Sequence, residues 1–216
     1  MFKSVQAIAA FAAVVALLWA GTAHAAGEIR YDIVCDPDHV GDHSVKGDVY
    51  YYGKYLYVSH TVRSLYLTAA RHYLDAGYIE IGQLYYAGLY TPTKHFYAYE
   101  DPPYTACQIL YTYGYPTAGT WYTYWIDQDY PSTDYKVGRG SIQWATIPMH
   151  LRGGDPESSM ERSDPLDDGH GSYRNLQYKG AGPTVWTPWD RLHIEDSDPD
   201  YKAVRRSNSS WYSTPR

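Results

Sequence analysis

The chain has 216 residues, a formal net charge of -6 and 26 tyrosines against only 3 phenylalanines. The acidic balance and the lack of any basic stripe argue against a nucleic-acid partner and against attraction to an anionic membrane. Tyr joins a flat apolar ring to a polar tip, so this composition suits a core, a wet groove or a sugar-binding face.

Residues 1–26 have the form of a secretory signal peptide: Lys3 supplies the positive end, an apolar run follows, and Ala23-His24-Ala25 offers small residues for cleavage. The run is short for a membrane span, and no later segment approaches about 20 apolar residues. The expected product is secreted and extracellular, with no membrane attachment after cleavage. Every tyrosine lies in that mature part, which is long enough for one domain with its own core, expected over 27–195. An exported chain with two cysteines, Cys35 and Cys107, is expected to join them as a disulfide. No C-x-x-C motif points to redox chemistry.

From Asp48 onward the apolar pattern has period two. It predicts strands over 49–58, 78–86, 94–99, 107–113, 119–126, 138–147 and 184–189, punctuated by Gly and Pro. Residues 64–77 fit a short helix from Ser64 to Gly77 or a strand with a turn, and the strand is preferred. Residues 152–171 are rich in Gly, Asp, Pro and Ser and read as a long loop that could close over a groove. Residues 196–216 read as a polar tail. Many strands with turns at this spacing indicate an all-β sandwich or jelly roll.

Strand parity adds detail. Over 78–86, Tyr78, Glu80, Gly82, Leu84 and Tyr86 share one face, and Ile79, Ile81 and Tyr85 the other. Aromatic residues fall on both faces of several strands. One face must pack against a second sheet. The other would form a Tyr-rich groove, with Tyr78, Tyr97, Tyr99, Tyr122 and Tyr124 as candidate contacts to an extracellular polysaccharide or peptide. Alternatively, Tyr simply replaces Val and Ile in the core.

Other motifs are weaker. His39 and His43 would align as metal ligands only on a helix, which Gly41 opposes. Asp196, Asp198 and Asp200 begin like a calcium loop, but Tyr201 stands where its Gly belongs and Ser207 where its Glu belongs. A solvated acidic turn is the simpler reading. Asp164, Asp167, Asp168 and His170 are similar. No metal and no cofactor is expected. Asn208-Ser209-Ser210 is a glycosylation sequon.

Ile79-Glu80-Ile81-Gly82, His95-Phe96-Tyr97-Ala98-Tyr99, Trp121 and Trp125, Ser158-Ser159-Met160-Glu161-Arg162, and Val185-Trp186-Thr187-Pro188-Trp189 together form a pattern. It resembles secreted bacterial proteins with a concanavalin-like double-sheet sandwich and, more distantly, the eqolisins or glutamic peptidases. The resemblance covers residues 48–190. It implies an antiparallel double-sheet fold and a groove in which Glu80 stands at the catalytic Gln position and Glu161 at the catalytic Glu position. The Gln-to-Glu departure matters, because an ionised carboxylate cannot donate a hydrogen bond to an oxyanion. Two functions follow. One is a non-catalytic binding protein that holds a polymer in its aromatic groove. The other is an acid hydrolase, peptidase or glycosidase, using Glu80 and Glu161 as a carboxylate pair. A coat or matrix role stands behind both.

Overall fold

The computed structural model describes residues 30–35, 44–53, 62–69, 77–86, 93–101, 105–112, 114–128, 131–150, 156–162, 170–180, 185–196 and 198–216. The proposed signal segment, the Asp36–His43 cluster and most of the 163–170 acidic run lie outside them. All regular structure among the described residues is β, in two antiparallel sheets.

The seven-stranded sheet runs β13 (His193–Asp196), β1 (Arg30–Cys35), β10 (Glu157–Arg162), β3 (Val62–Ala69), β4 (Tyr78–Tyr86), β5 (Lys94–Asp101), β6 (Thr105–Tyr111). The eight-stranded sheet runs β14 (Tyr201–Ser207), β15 (Ser210–Pro215), β11 (Ser172–Lys179), β2 (Ser44–Tyr51), β7 (Thr120–Gln128), β8 (Asp134–Arg139), β9 (Ile142–Pro148). The short β12 (Thr187–Pro188) pairs with β11. Neighbours that are distant in sequence, such as β1 beside β10 and β2 beside β7, give the crossed connections of a jelly roll.

Period-two patterning explains which faces meet. Val45 and Val49 of β2, Tyr124 and Ile126 of β7, and Val137 and Ile147 of the β8–β9 hairpin are buried opposite Leu67, Ile79, Ile81 and Met160 of the other sheet. Burying each aliphatic side chain contributes about 1.5–3 kcal/mol. Trp211 stacks on Tyr173 at 4.6 Å and donates from Nε1 to Ser158 Oγ across the sheets at 2.7 Å.

Several expectations change. The run 138–147 is not one strand but the end of β8 and most of β9, turned by Gly140 at φ 57°. Of the ambiguous segment 64–77, residues up to 69 belong to a strand, as preferred, and 70–76 lie outside the described residues. The expected loop over 152–171 contains β10, a central and fully buried strand. Most of the expected polar tail is the β14–β15 hairpin, and its two-residue turn is Asn208-Ser209 of the sequon. The sheet order also separates the cysteines. Cys35 on β1 and Cys107 on β6 lie five strand spacings apart, roughly 24 Å, far beyond the Cα separation a disulfide tolerates. The Cys35–Cys107 bridge is therefore withdrawn.

Candidate functional site

Register fixes what the seven-stranded sheet presents on each face. Residues opposite one another across a ladder share a face. Glu157 lies opposite Thr68, which lies opposite Glu80. Ser159 lies opposite Tyr66, which lies opposite Gly82, and Glu161 opposite Ser64, which lies opposite Leu84. Glu157, Ser159 and Glu161 on β10 thus share one face with Glu80 and Gly82 on β4.

That face looks away from the second sheet. The alternate residues look inward: Ser158 accepts from Trp211, Gln83 Nε2 reaches Val49 O at 3.5 Å, and His95 Nδ1 lies 2.6 Å from the Tyr124 hydroxyl. The outward carboxylates are nevertheless enclosed, with Glu80 and Glu161 each 5% exposed and Glu157 7%. Burial of charge-bearing groups away from the core marks a site candidate, because such groups are seldom fully buried without a partner or a task.

Glu80 and Glu161 therefore share a face but not a row. Four residues along the strand and two spacings across separate their Cα atoms by roughly 16 Å. Glu157 occupies Glu80's own row, about 10 Å away. The sequence hides it, because residues 152–171 have the Gly, Asp, Pro and Ser content of a loop. The available signal was its position four residues before Glu161, the spacing that returns a strand residue to the same face.

The candidate aromatic contacts fare differently. Tyr78 is buried on Glu80's face. Tyr124 is wholly buried in the core, and Tyr97, Tyr99 and Tyr122 pack against that core from the interior. Four of the five proposed groove tyrosines thus line the space between the sheets. Burial, with Tyr99 beside it, raises the Tyr97 hydroxyl above its ordinary value. Tyr122 and Tyr124 surround His95, whose ring is buried and whose pKa burial, aided by the Arg139 charge, lowers to about 4.

β10 is anchored at its far end. Arg162 is buried, and its Nε and Nη2 each donate to Asp198 at 2.6 Å, with Nη2 also reaching Asp200 at 2.8 Å. Burial alone would raise the Asp198 carboxyl, but the Arg162 hydrogen bonds and charge, with backbone donors from Asp200 and Tyr201, hold it below its usual value. Asp198 and Asp200 of the acidic run therefore form an ion-pair anchor rather than a solvated turn. Among the described residues no group of three potential ligands is placed to hold a metal ion.

On the outer face of the eight-stranded sheet, Arg174 lies 4.1 Å over Trp121, while Lys46 and Lys179 flank Trp186 at 5.6 and 5.2 Å. Asp48 accepts from Thr123, Arg174 and Asn175 there. These cations lie over the Trp121 and Trp186 rings, while Tyr52 beside Tyr50 stays exposed.

No family model matches the sequence, and no curated protein matches it. Solved structures do. Scytalido-glutamic peptidase bound to a transition-state analogue inhibitor is 7% identical with a TM-score of 0.57, over 88% of this chain and 98% of that one. SCP-B, a member of the eqolisin family of peptidases in complex with the tripeptide Ala-Ile-His, is 6% identical with a TM-score of 0.58 over the same shares. The β-glucanase of Bacillus licheniformis is less similar, at 14% identity and a TM-score of 0.39 over 82% of this chain and 68% of that one. The chain thus has the eqolisin-like, concanavalin-type sandwich, and at these identities the likeness establishes the fold alone.

Proposed function

We propose that the protein is a carboxylate-dependent acid hydrolase that cleaves an amide bond in an extended polypeptide. The observation that carries this reading is the alignment of Glu80 and Glu157 in one row, with Glu161 beside them, on the outward yet enclosed face of the seven-stranded sheet. The peptide and transition-state ligands of the peptidases that share the fold support amide over glycosidic chemistry. The non-catalytic polymer-binding reading loses its groove, since most of its tyrosines are interior.

A carboxylate pair that shares a site holds a single proton in mild acid. The ionised member removes a proton from water, and the resulting hydroxide adds to the carbonyl carbon as the C=O π pair moves onto oxygen. When that pair re-forms the double bond, the C–N bond breaks, and the amine leaves with the proton of the neutral carboxyl. The two carboxyl groups have then exchanged roles, and one proton passed between them restores the starting state.

The test is release of new amino termini from a heat-denatured protein between pH 3 and 7. Wild type is expected to be active in acid. Glu157→Gln should lower kcat by about 10²–10⁴-fold, the usual worth of a general acid or base, and Glu161→Gln should cost less. An inactive wild type that retains an unfolded polypeptide on a column would return the protein to the binding class.

A further inference from the structure

Ser159 stands between Glu157 and Glu161 on the outward face of β10, in the row that runs through Tyr66 and Gly82 to Phe96. It is 0% exposed, and its hydroxyl has no hydrogen-bond partner among the described residues. The adjacent Ser158 hydroxyl, facing inward, accepts from Trp211 Nε1. The backbone of Ser159 is also held, since its carbonyl oxygen accepts from the Tyr173 hydroxyl across the sandwich. A fixed backbone therefore presents a buried hydroxyl to the carboxylate row. An unmade hydrogen bond at such a buried group is destabilising, so alanine would suit stability better.

We infer that the Ser159 hydroxyl donates the hydrogen bond that holds the carbonyl oxygen of the scissile amide as it becomes an oxyanion. This rests on the hydrolase reading above. The site needs such a donor, because Glu80 cannot donate whenever it is the ionised member of the pair. A serine hydroxyl can, since its single O–H rotates freely when no protein acceptor claims it. Its place is suitable: Glu157 and Glu161 each lie about 7 Å from it along the strand, one on either side. A carbonyl carbon attacked by water near Glu157 would leave its oxygen toward Ser159. The group stays a hydrogen-bond donor throughout, and no bond to it forms or breaks.

The experiment compares wild type, Ser159→Ala, Ser159→Thr and Ser159→Cys on the same denatured protein, with kcat, KM and melting temperature measured for each. Loss of one oxyanion donor is worth about 10²–10³ in kcat. Ser159→Ala should therefore lose roughly 10²-fold in kcat, keep KM within about twofold, and melt no lower than wild type. Ser159→Thr should restore most of the rate, and Ser159→Cys, with its weak donor, should fall between. An active wild type whose kcat is indifferent to Ser159→Ala overturns this role and leaves the carboxylate reading intact. The same holds if Ser159→Ala lowers melting temperature and KM together with kcat, for then Ser159 is scaffold. A wild type inactive at every pH, with Ser159→Ala still folded, removes both.

Discussion

Asp198→Ala tests how β10 is held. The Arg162 guanidinium is wholly buried and bonded twice to Asp198, itself buried, and once to Asp200, whose side chain is 48% exposed. Deleting Asp198 removes the two shorter bonds and leaves a cation away from water, a change that costs about 3–5 kcal/mol when one partner of a buried pair is lost. Asp200 stays as partial compensation, which places the expected loss near the lower bound, about 3 kcal/mol. The denaturant slope for a domain of this size is about 2–3 kcal/mol per molar urea, so the midpoint should fall by roughly 1–1.5 M. Replacing both members together, Arg162→Met with Asp198→Leu, should recover most of that loss, because no charge is then stranded. The assay is urea unfolding followed by Trp fluorescence. A midpoint within about 0.3 M of wild type for Asp198→Ala would refute the reasoning, since the buried cation would then be satisfied some other way. The pH dependence follows the same pair. The folded carboxyl of Asp198 sits below its ordinary 3.8, so its contribution is complete above that value and disappears only as pH falls through the lower folded one. The anchor thus keeps its full strength in mild acid above pH 3.8 and weakens only below that value.

Two further predictions concern stability. His95 has a folded pKa of about 4 against an ordinary 6.5, so the unfolded chain binds more protons between those values and stability should decline as pH drops from 6.5 toward 4; His95→Phe should flatten that decline in urea midpoints taken from pH 7 to 4, and an equally steep profile would assign it to other groups. Gly138→Ala should destabilise by about 1–3 kcal/mol, because an added Cβ would lie 2.2 Å from Trp125 Cζ2 and 2.4 Å from the Ile142 carbonyl; a melting temperature equal to wild type would mean the hairpin opens there at no cost.

The strands that sequence reading located are those whose inner residues are apolar. Ile79 and Ile81 on β4, and Tyr124 and Ile126 on β7, alternate with other residues and announce themselves. β10 does not. Its inner face is Ser158, Met160 and Arg162, made compatible with burial by Trp211 and Asp198, which lie far away in sequence. No local window shows those partners, so a central strand looked like a polar loop. β14 and β15 were hidden similarly, since Trp211 and Ser213 are their only fully buried residues. The five candidate tyrosines do lie on strands, but alternation does not say which face is inward. Glu80 and Glu161 were found through a resemblance to a motif, whereas Glu157 and Ser159 needed the register.

The order of strands also sets when the sandwich can assemble. Among the described residues, β1 is the first strand and has neighbours only at β10 and β13, and β2 is flanked by β7 and β11. Neither early strand can pair until much later sequence is present. Such non-local pairing is slow, because loop closure must precede any compensating contact. A nascent or threaded chain would therefore stay open until its C-terminal third arrived. The carboxylate row would assemble at that same late moment, so a partly made chain would carry Glu80 without its opposing β10 residues and would lack the pair on which the proposed hydrolysis depends.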